Sequence, residues 1–362
     1  MKILKPIYYW HVQTGNRGDH AIKHSIVSAI QKKIDVPFAF FNVKYDELTE
    51  SRIINDLNKN ASALFIAGSG LYSNCNTKSG WYFNCTSELF QKSTNLIVLL
   101  GLGCNNNLDK DIFGGELSAK AKESIKLIND LAIISTVRDK RTYNILKEIG
   151  VKNHQLMLDP ACFLEAPKNI KREKRIAINI AQHSPLLGRY DGGEEGQKNR
   201  EKHLQLFANI SNWLISEGYS VVFIAHDALE TSLIIDLKRQ VPQLEWVNTD
   251  DIDMILTAYS QCMITICIKM HSAIMSFAVG TPSIQLYYDQ KAIEFLKMID
   301  CPELGMSIFD SYYETFKEKI NLLLNNYTYY QTKIKNIKQC EQAKFNKIIN
   351  KICYVIENEQ KQ

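Results

Sequence analysis

The sequence predicts two doubly wound α/β domains facing across a cleft, with a helical tail behind them. Three observations carry that prediction. Short apolar runs alternate with helical patterns twice along the chain, as parallel βα units require. A polar, lysine-rich stretch, Glu165-Ala166-Pro167-Lys168-Asn169-Ile170-Lys171-Arg172-Glu173-Lys174, separates the two runs and reads as the interdomain linker. The length, 362 residues, exceeds what one hydrophobic core usually organises. The expected divisions are 1–165, 172–310 and a basic tail at 311–362.

In the first domain Ile7–Val12 reads as a strand, and the loop Thr14-Gly15-Asn16-Arg17-Gly18 opens a helix over Asp19–Lys32. Phe38–Val43 is a second strand and Ser51–Leu57 a short helix. The apolar runs Ala63–Ala67 and Asn95–Leu100 are strands that end in Gly68-Ser69-Gly70 and Gly101-Leu102-Gly103. Helix Ala119–Leu131, strand Ile133–Val137 and helix Lys140–Ile149 follow, and Leu156-Met157-Leu158 leads into the turn Asp159-Pro160. The second domain repeats the alternation: strand Arg175–Ile180, helix Arg200–Glu217, strand Ser220–Ala225, helices Leu229–Gln240 and Asp251–Ser260, strand Met263–Cys267, helix Ser272–Val279, strand Ser283–Leu286 and helix Gln290–Ile299. Past Tyr312 no strand pattern remains. From Lys333 the positions Ile334, Ile337, Phe345, Ile348, Ile352 and Val355 keep a helical rhythm with lysines between them.

Composition excludes several classes. Apolar residues are 45% and charged residues 23%, which is globular rather than disordered or collagen-like. The net charge of +4 lies in the tail: Ser311–Gln362 holds nine Lys and five Glu, so the rest of the chain balances at 34 of each sign. A balanced body gives no footprint for nucleic acid. Nine cysteines without regular spacing predict free thiols rather than a disulfide scaffold. With neither a signal-peptide pattern nor a spanning apolar run, the protein is expected to be soluble and cytoplasmic. The apolar stripe of the tail either packs on the body or a second subunit, making a homo-oligomer, or lets a basic amphipathic helix touch the inner face of the membrane peripherally.

Glycines cluster at strand C-terminal ends, where open α/β sheets place their ligands. Gly15-Asn16-Arg17-Gly18-Asp19-His20 is either a substrate-binding loop, with Arg17 and His20 the side chains to watch, or a tight turn capped by Asp19. It has neither Walker nor dinucleotide spacing. Gly68, Ser69 and Gly70, like Gly103, either relieve crowding at a turn or line a substrate crevice. Arg138, in Val137-Arg138-Asp139, offers a planar fork to a carboxylate or phosphate, or pairs structurally with an aspartate. His226-Asp227 either binds an acceptor sugar or caps the next helix.

The most informative segment is Lys269-Met270-His271-Ser272-Ala273, followed by Gly280-Thr281-Pro282 and Tyr288-Asp289-Gln290-Lys291. A strand delivers Lys269 and His271 to the point where a small-residue helix begins. That is a cationic place suited to holding phosphate and exchanging a proton. Tyr288 and Lys291 mark the next strand end. The eight histidines show no metal-ligand spacing and no G-x-S-x-G elbow is present, so neither a metal nor a cofactor is expected.

In this order, from Gly15-Asn16-Arg17-Gly18-Asp19 to Lys291, these motifs resemble the polysaccharide pyruvyl transferase family over about residues 10–300. The resemblance implies two Rossmann-like domains in a GT-B-like arrangement. It also implies transfer of a pyruvyl group from phosphoenolpyruvate, as co-substrate, to a sugar hydroxyl pair. The acceptor would be a glycan or lipid-linked oligosaccharide of a surface polysaccharide or capsule, made into a cyclic ketal. Lys269-Met270-His271 stands where the family has Arg-x-His, so the charge is kept and the bidentate fork is lost. The chemistry needs a general acid for the donor's methylene carbon and cations for its carboxylate and phosphate. His271 is expected as the acid, with Lys269, Arg138 and Lys291 as anion contacts and the Gly15–Asp19 loop facing the acceptor. A GT-B glycosyltransferase using a nucleotide-sugar donor and a noncatalytic assembly protein are the competing expectations.

Overall fold

The structure is a computed structural model and describes residues 5–11, 15–42, 51–73, 81–82, 87–104, 117–181 and 194–359. Val12, Thr14, Val43, Cys75 and Cys85 lie outside the described residues. The chain divides into two compact units. Unit 1 comprises Met1–Thr14, Ile22–Phe163 and Gln339–Gln362, and unit 2 comprises Gly15–Ala21 and Leu164–Lys338.

Strands of unit 1 are β1 (Ile7–His11), β2 (Phe38–Asn42), β3 (Ala63–Ala67), β4 (Leu96–Leu102), β5 (Ile134–Val137) and β6 (His154–Leu156). They form one parallel sheet in the order β2-β1-β3-β4-β5-β6. Helices α1 (Arg17–Gln31), α2 (Ser51–Asn60), α3 (Ala119–Leu131) and α4 (Lys140–Glu148) make the connections. β3 is buried from end to end, as a central parallel strand covered on both faces must be. Trp10, Leu64, Ile66, Trp81, Phe90 and Leu99 are among the residues of its core.

Unit 2 contains β7 (Arg175–Asn179), β8 (Ser220–Ile224), β9 (Glu245–Val247), β10 (Ile264–Cys267), β11 (Ser283–Tyr287) and β12 (Gly305–Ser307). All are parallel, in the order β12-β11-β10-β7-β8-β9. Its helices are α5 (Glu194–Ser216), α6 (Thr231–Gln240), α7 (Ile252–Gln261), α8 (Met270–Ala278), α9 (Gln290–Met298) and α10 (Tyr313–Asn325). Every residue of α8 is buried, so this helix is apolar around most of its circumference and forms part of the core. The direction of winding reverses between β7 and β10, which makes the ends of those two strands the ligand-binding position of such a sheet.

The edge strands β9 and β12 have three residues each and left no alternation to read in the sequence. The tail is two helices, with α10 closed at Asn326 before α11 (Tyr327–Glu359). The apolar stripe of α11 is spent inside the fold: Phe345, Ile348, Ile349, Ile352 and Ile356 are all buried, and Phe345 stacks on Phe163 at 4.4 Å between ring centroids. That stripe is therefore closed to insertion into lipid. Among the described residues no helix is long and apolar enough to cross a membrane, and the cysteines are free thiols.

Candidate functional site

Strand ends in unit 2 hand over to helices through a repeated joint. After β8, Asp227 caps a short turn by accepting from Leu229 N at 3.0 Å. After β11, Asp289 caps α9 by accepting from Ala292 N at 3.1 Å. After β10 the cap position belongs to Lys269, which has no acceptor, so α8 begins without a side-chain cap. His271 lies in the first turn of that helix and is buried. Lys269 and His271 thus stand at the winding reversal of the sheet, beside the end of β7.

The first glycine loop comes to this place. Asn16 bridges to Asp227, and Arg17 N donates to His226 O at 2.9 Å. The Arg17 guanidinium, 3% exposed, donates to Ala225 O at 2.8 Å, Asn248 Oδ1 at 2.6 Å and Asp250 Oδ1 at 2.9 Å. The loop was expected to face the acceptor from the first domain, with Arg17 a side chain to watch; it packs in unit 2, where Arg17 is its anchor. Asp19 is not the cap of α1. Asn16 is, accepting from Gly18 N at 3.0 Å, and Asp19 sits half-buried within the first turn. Gly18 lies against the imidazole: a Cβ there would fall 2.2 Å from Cγ and Nδ1 of His271. Gly15 is more open, its Cβ position being 3.4 Å from Asp227 Oδ1.

Beneath the loop is a polar network that the sequence did not announce. Glu230, wholly buried, lies 2.7 Å from Lys269 Nζ and accepts from His226 N at 2.7 Å and Asn179 Nδ2 at 3.1 Å. Asp227 is 3.7 Å from the same ammonium. Burial raises the Glu230 carboxyl against the pull of Lys269. His226 bonds Tyr259 OH at 2.6 Å, and Tyr259 OH in turn bonds Ser272 Oγ at 2.6 Å. Burial, then the charges of Lys269, His271 and Arg17, hold the His226 ring well below its ordinary pKa, so it is neutral. Tyr288 is half-buried at the end of β11, and Lys291 pairs with Asp289 at 3.0 Å.

A second cluster forms in unit 1. Gly103 N donates to Ser69 O at 3.1 Å and Gly68 N to Leu100 O at 2.8 Å, which ties the two glycine segments side by side, with Gly70 buried next to them. Ser69 has φ of 61°, a left-handed conformation uncommon for a residue with a Cβ. Arg138, also buried, closes on Gly103, where a Cβ would come within 2.8 Å of Arg138 Nε. Its NH1 pairs with Asp159 at 3.2 Å, while Nε has no hydrogen-bond partner among the described residues.

The predicted residues therefore form two groups. Gly15, Asn16, Arg17, Gly18, Asp19, His226, Lys269, His271, Tyr288 and Lys291 are in unit 2, and Gly68, Ser69, Gly70, Gly103 and Arg138 are in unit 1. Sequence reasoning missed Glu230, Asn179 and Tyr259, each of which lies in a stretch with ordinary strand or helix patterning. Lys269, Arg138 and Lys291 each have a carboxylate partner, leaving the amides at the start of α8 as the anion-attracting element with no side-chain cap. Among the described residues no group of three or more His, Cys, Asp or Glu could hold a metal ion.

Solved structures with the same fold include the UDP-GlcNAc 2-epimerase of Neisseria meningitidis bound to UDP-GlcNAc, with a TM-score of 0.57 and 10% identity over 96% of this chain and 99% of that one. The UDP-GlcNAc 2-epimerase of Methanocaldococcus jannaschii, in complex with UDP-GlcNAc and UDP, gives 0.52 and 8% identity over 88% and 93%. At such identities the likeness establishes the fold alone, which is of the GT-B type. Amylovoran biosynthesis protein AmsJ of Erwinia amylovora is 24% identical over 190 residues, 49% of this chain and 44% of that protein, so the match spans less than half of the relative's length. The sequence model of the polysaccharide pyruvyl transferases matches residues 16–290, from the Asn16 cap of α1 to the first residue of α9, and the chain belongs to the polysaccharide pyruvyl transferase family.

Proposed function

We propose that the protein moves the pyruvyl group of phosphoenolpyruvate onto two hydroxyls of a sugar in an exopolysaccharide or its lipid-linked precursor. Family membership and the match to an amylovoran biosynthesis protein support a polysaccharide-modifying role. The observation that carries the donor assignment is the seat of His271: buried, in the uncapped first turn of α8, at the winding reversal of the unit 2 sheet. The α8 amides would receive the donor phosphate or carboxylate. His271 protonates C3 of the donor while the first hydroxyl adds to C2. The second hydroxyl then takes the place of phosphate at C2, the C–O bond to phosphate breaks, and the ketal closes. One hydroxyl proton in effect replaces that given by His271 and the other leaves with inorganic phosphate. Arg138, whose Nε is unpaired among the described residues while NH1 pairs with Asp159, is a separate anion-contact candidate within unit 1.

Two measurements test this. Phosphoenolpyruvate should raise the melting temperature, as any ligand selective for the native state does, and UDP-N-acetylglucosamine should not. The reverse pattern selects a nucleotide-sugar transferase, and no shift with either selects a noncatalytic role. His271→Ala should abolish phosphate release from phosphoenolpyruvate with the fold intact; retained turnover removes His271 as the acid.

A further inference from the structure

Glu230 has no part in the transfer scheme, yet its carboxylate is completely enclosed in unit 2. A carboxylate there is costly unless it is paired and hydrogen-bonded. Its Oε2 accepts from His226 N at 2.7 Å and Asn179 Nδ2 at 3.1 Å, and its Oε1 is 2.7 Å from Lys269 Nζ. Asn179 extends the connection, donating to Ile224 O at 3.0 Å and accepting from Lys269 N at 3.3 Å. One side chain therefore holds the end of β7, the end of β8 and the residue that opens α8.

We infer that Glu230 is a positioning residue for the His271 site: it clamps the ends of β7 and β8 to Lys269 and so fixes the start of the helix on which His271 stands. The inference rests on reading that region as the donor site. The clamp also suits a lysine at position 269. A compact ammonium serves a single buried oxygen, whereas a guanidinium fork asks for two parallel acceptors. Asp227, at 3.7 Å from the same ammonium, and His226, His271 and Arg17 are the other ionisable groups around the clamp.

The test uses the full chain with Glu230→Gln, Lys269→Met and the two together, followed by calorimetric titration with phosphoenolpyruvate and by melting. Glu230→Gln should weaken binding about tenfold at unchanged stoichiometry. A role confined to stability would lower the stoichiometry and leave Kd alone, and that result overturns the inference. Each single variant unbalances the buried charges of the clamp and lowers Tm, and the double variant should recover about half or more of the larger loss. Losses that simply add also overturn it. If the wild type does not bind phosphoenolpyruvate, the donor reading falls, and the melting cycle alone decides the clamp: coupling supports it, additivity overturns it.

Discussion

Gly18 offers the sharpest test of how the N-terminal loop meets the site. Alanine at this position puts a methyl carbon 2.2 Å from His271 Cγ and 2.7 Å from its Cβ. Carbon atoms settle at about 3.5–4.0 Å, so the imidazole or the loop must yield by about 1.3 Å or more. The clash involves atoms near the backbone of a buried residue, where a rotamer change gives little relief. Two effects compete for stability. Replacing a helical glycine by alanine gains up to about 1 kcal/mol, whereas overpacking costs roughly 1–3 kcal/mol. With the full gain set against that cost, the net loss is about 0–2 kcal/mol. Catalysis is less forgiving, since a displacement of about 1 Å costs on the order of a hundredfold in rate. Gly18→Ala should therefore keep a near-normal urea transition and lose nearly all phosphate release from phosphoenolpyruvate when assayed with the cell's own glycan precursors. Gly15→Ala, with 3.4 Å of room beside Asp227, should unfold at the wild-type urea concentration. Wild-type turnover in Gly18→Ala would refute the reasoning, because the imidazole could not then depend on its contact with the loop.

Other outcomes follow from burial and charge. Removing Gln339–Gln362 takes away Phe345, Ile348, Ile349, Ile352 and Ile356, each worth roughly 1.5–3 kcal/mol of burial, against a typical total stability of about 5–15 kcal/mol. The truncated chain should fail to fold in circular dichroism; a stable truncated protein would contradict this. His226 is neutral in the fold because its pKa lies well below 6.5. Below that pH the unfolded chain binds a proton that the folded one refuses, so stability falls as pH falls, by up to about 1.4 kcal/mol per pH unit. Above it both states are neutral and nothing is lost. His226→Gln should flatten the drop in urea midpoint between pH 7.5 and 5.5, and an unchanged drop would refute the assignment. Arg172 donates to Cys262 O, Thr281 Oγ1, Val279 O and Gly280 O at 2.6–3.0 Å, closing the C-terminal end of α8 with a cation. Arg172→Met should cost on the order of 3 kcal/mol in urea unfolding, and a loss below about 1 kcal/mol would show those carbonyls to be satisfied otherwise.

Much of the fold was legible because parallel βα units write themselves locally. Ala63–Ala67 and Lys140–Glu148 can be read from their own residues, and the joints at Arg138 and Lys269 follow from where an apolar run stops and a helix starts. Glu230 was not legible for the opposite reason. It sits in an unremarkable Ala-Leu-Glu turn, and one of its partners, Asn179, is 51 residues away. The partners of Arg17 were not legible on the same ground: strand-to-helix spacing says that a loop is there, but not which sheet receives it. The edge strands β9 and β12 are too short to carry a period, and their pairing comes from the neighbours β8 and β11.

The anchoring of Arg17 also bears on how the molecule is made. Arg17 leaves the ribosome well before Asp250, which it must grip and which lies 233 positions further on. At roughly 5–20 residues per second the loop waits on the order of 10–50 s before its partners exist. A second unit excised as Leu164–Lys338 would lack the piece that covers His271, and adding Gly15–Ala21 as a separate peptide should restore it only at the entropic cost of a bimolecular step. A segment made early is thus placed late, and the site cannot be completed until Asn248 and Asp250 have left the ribosome.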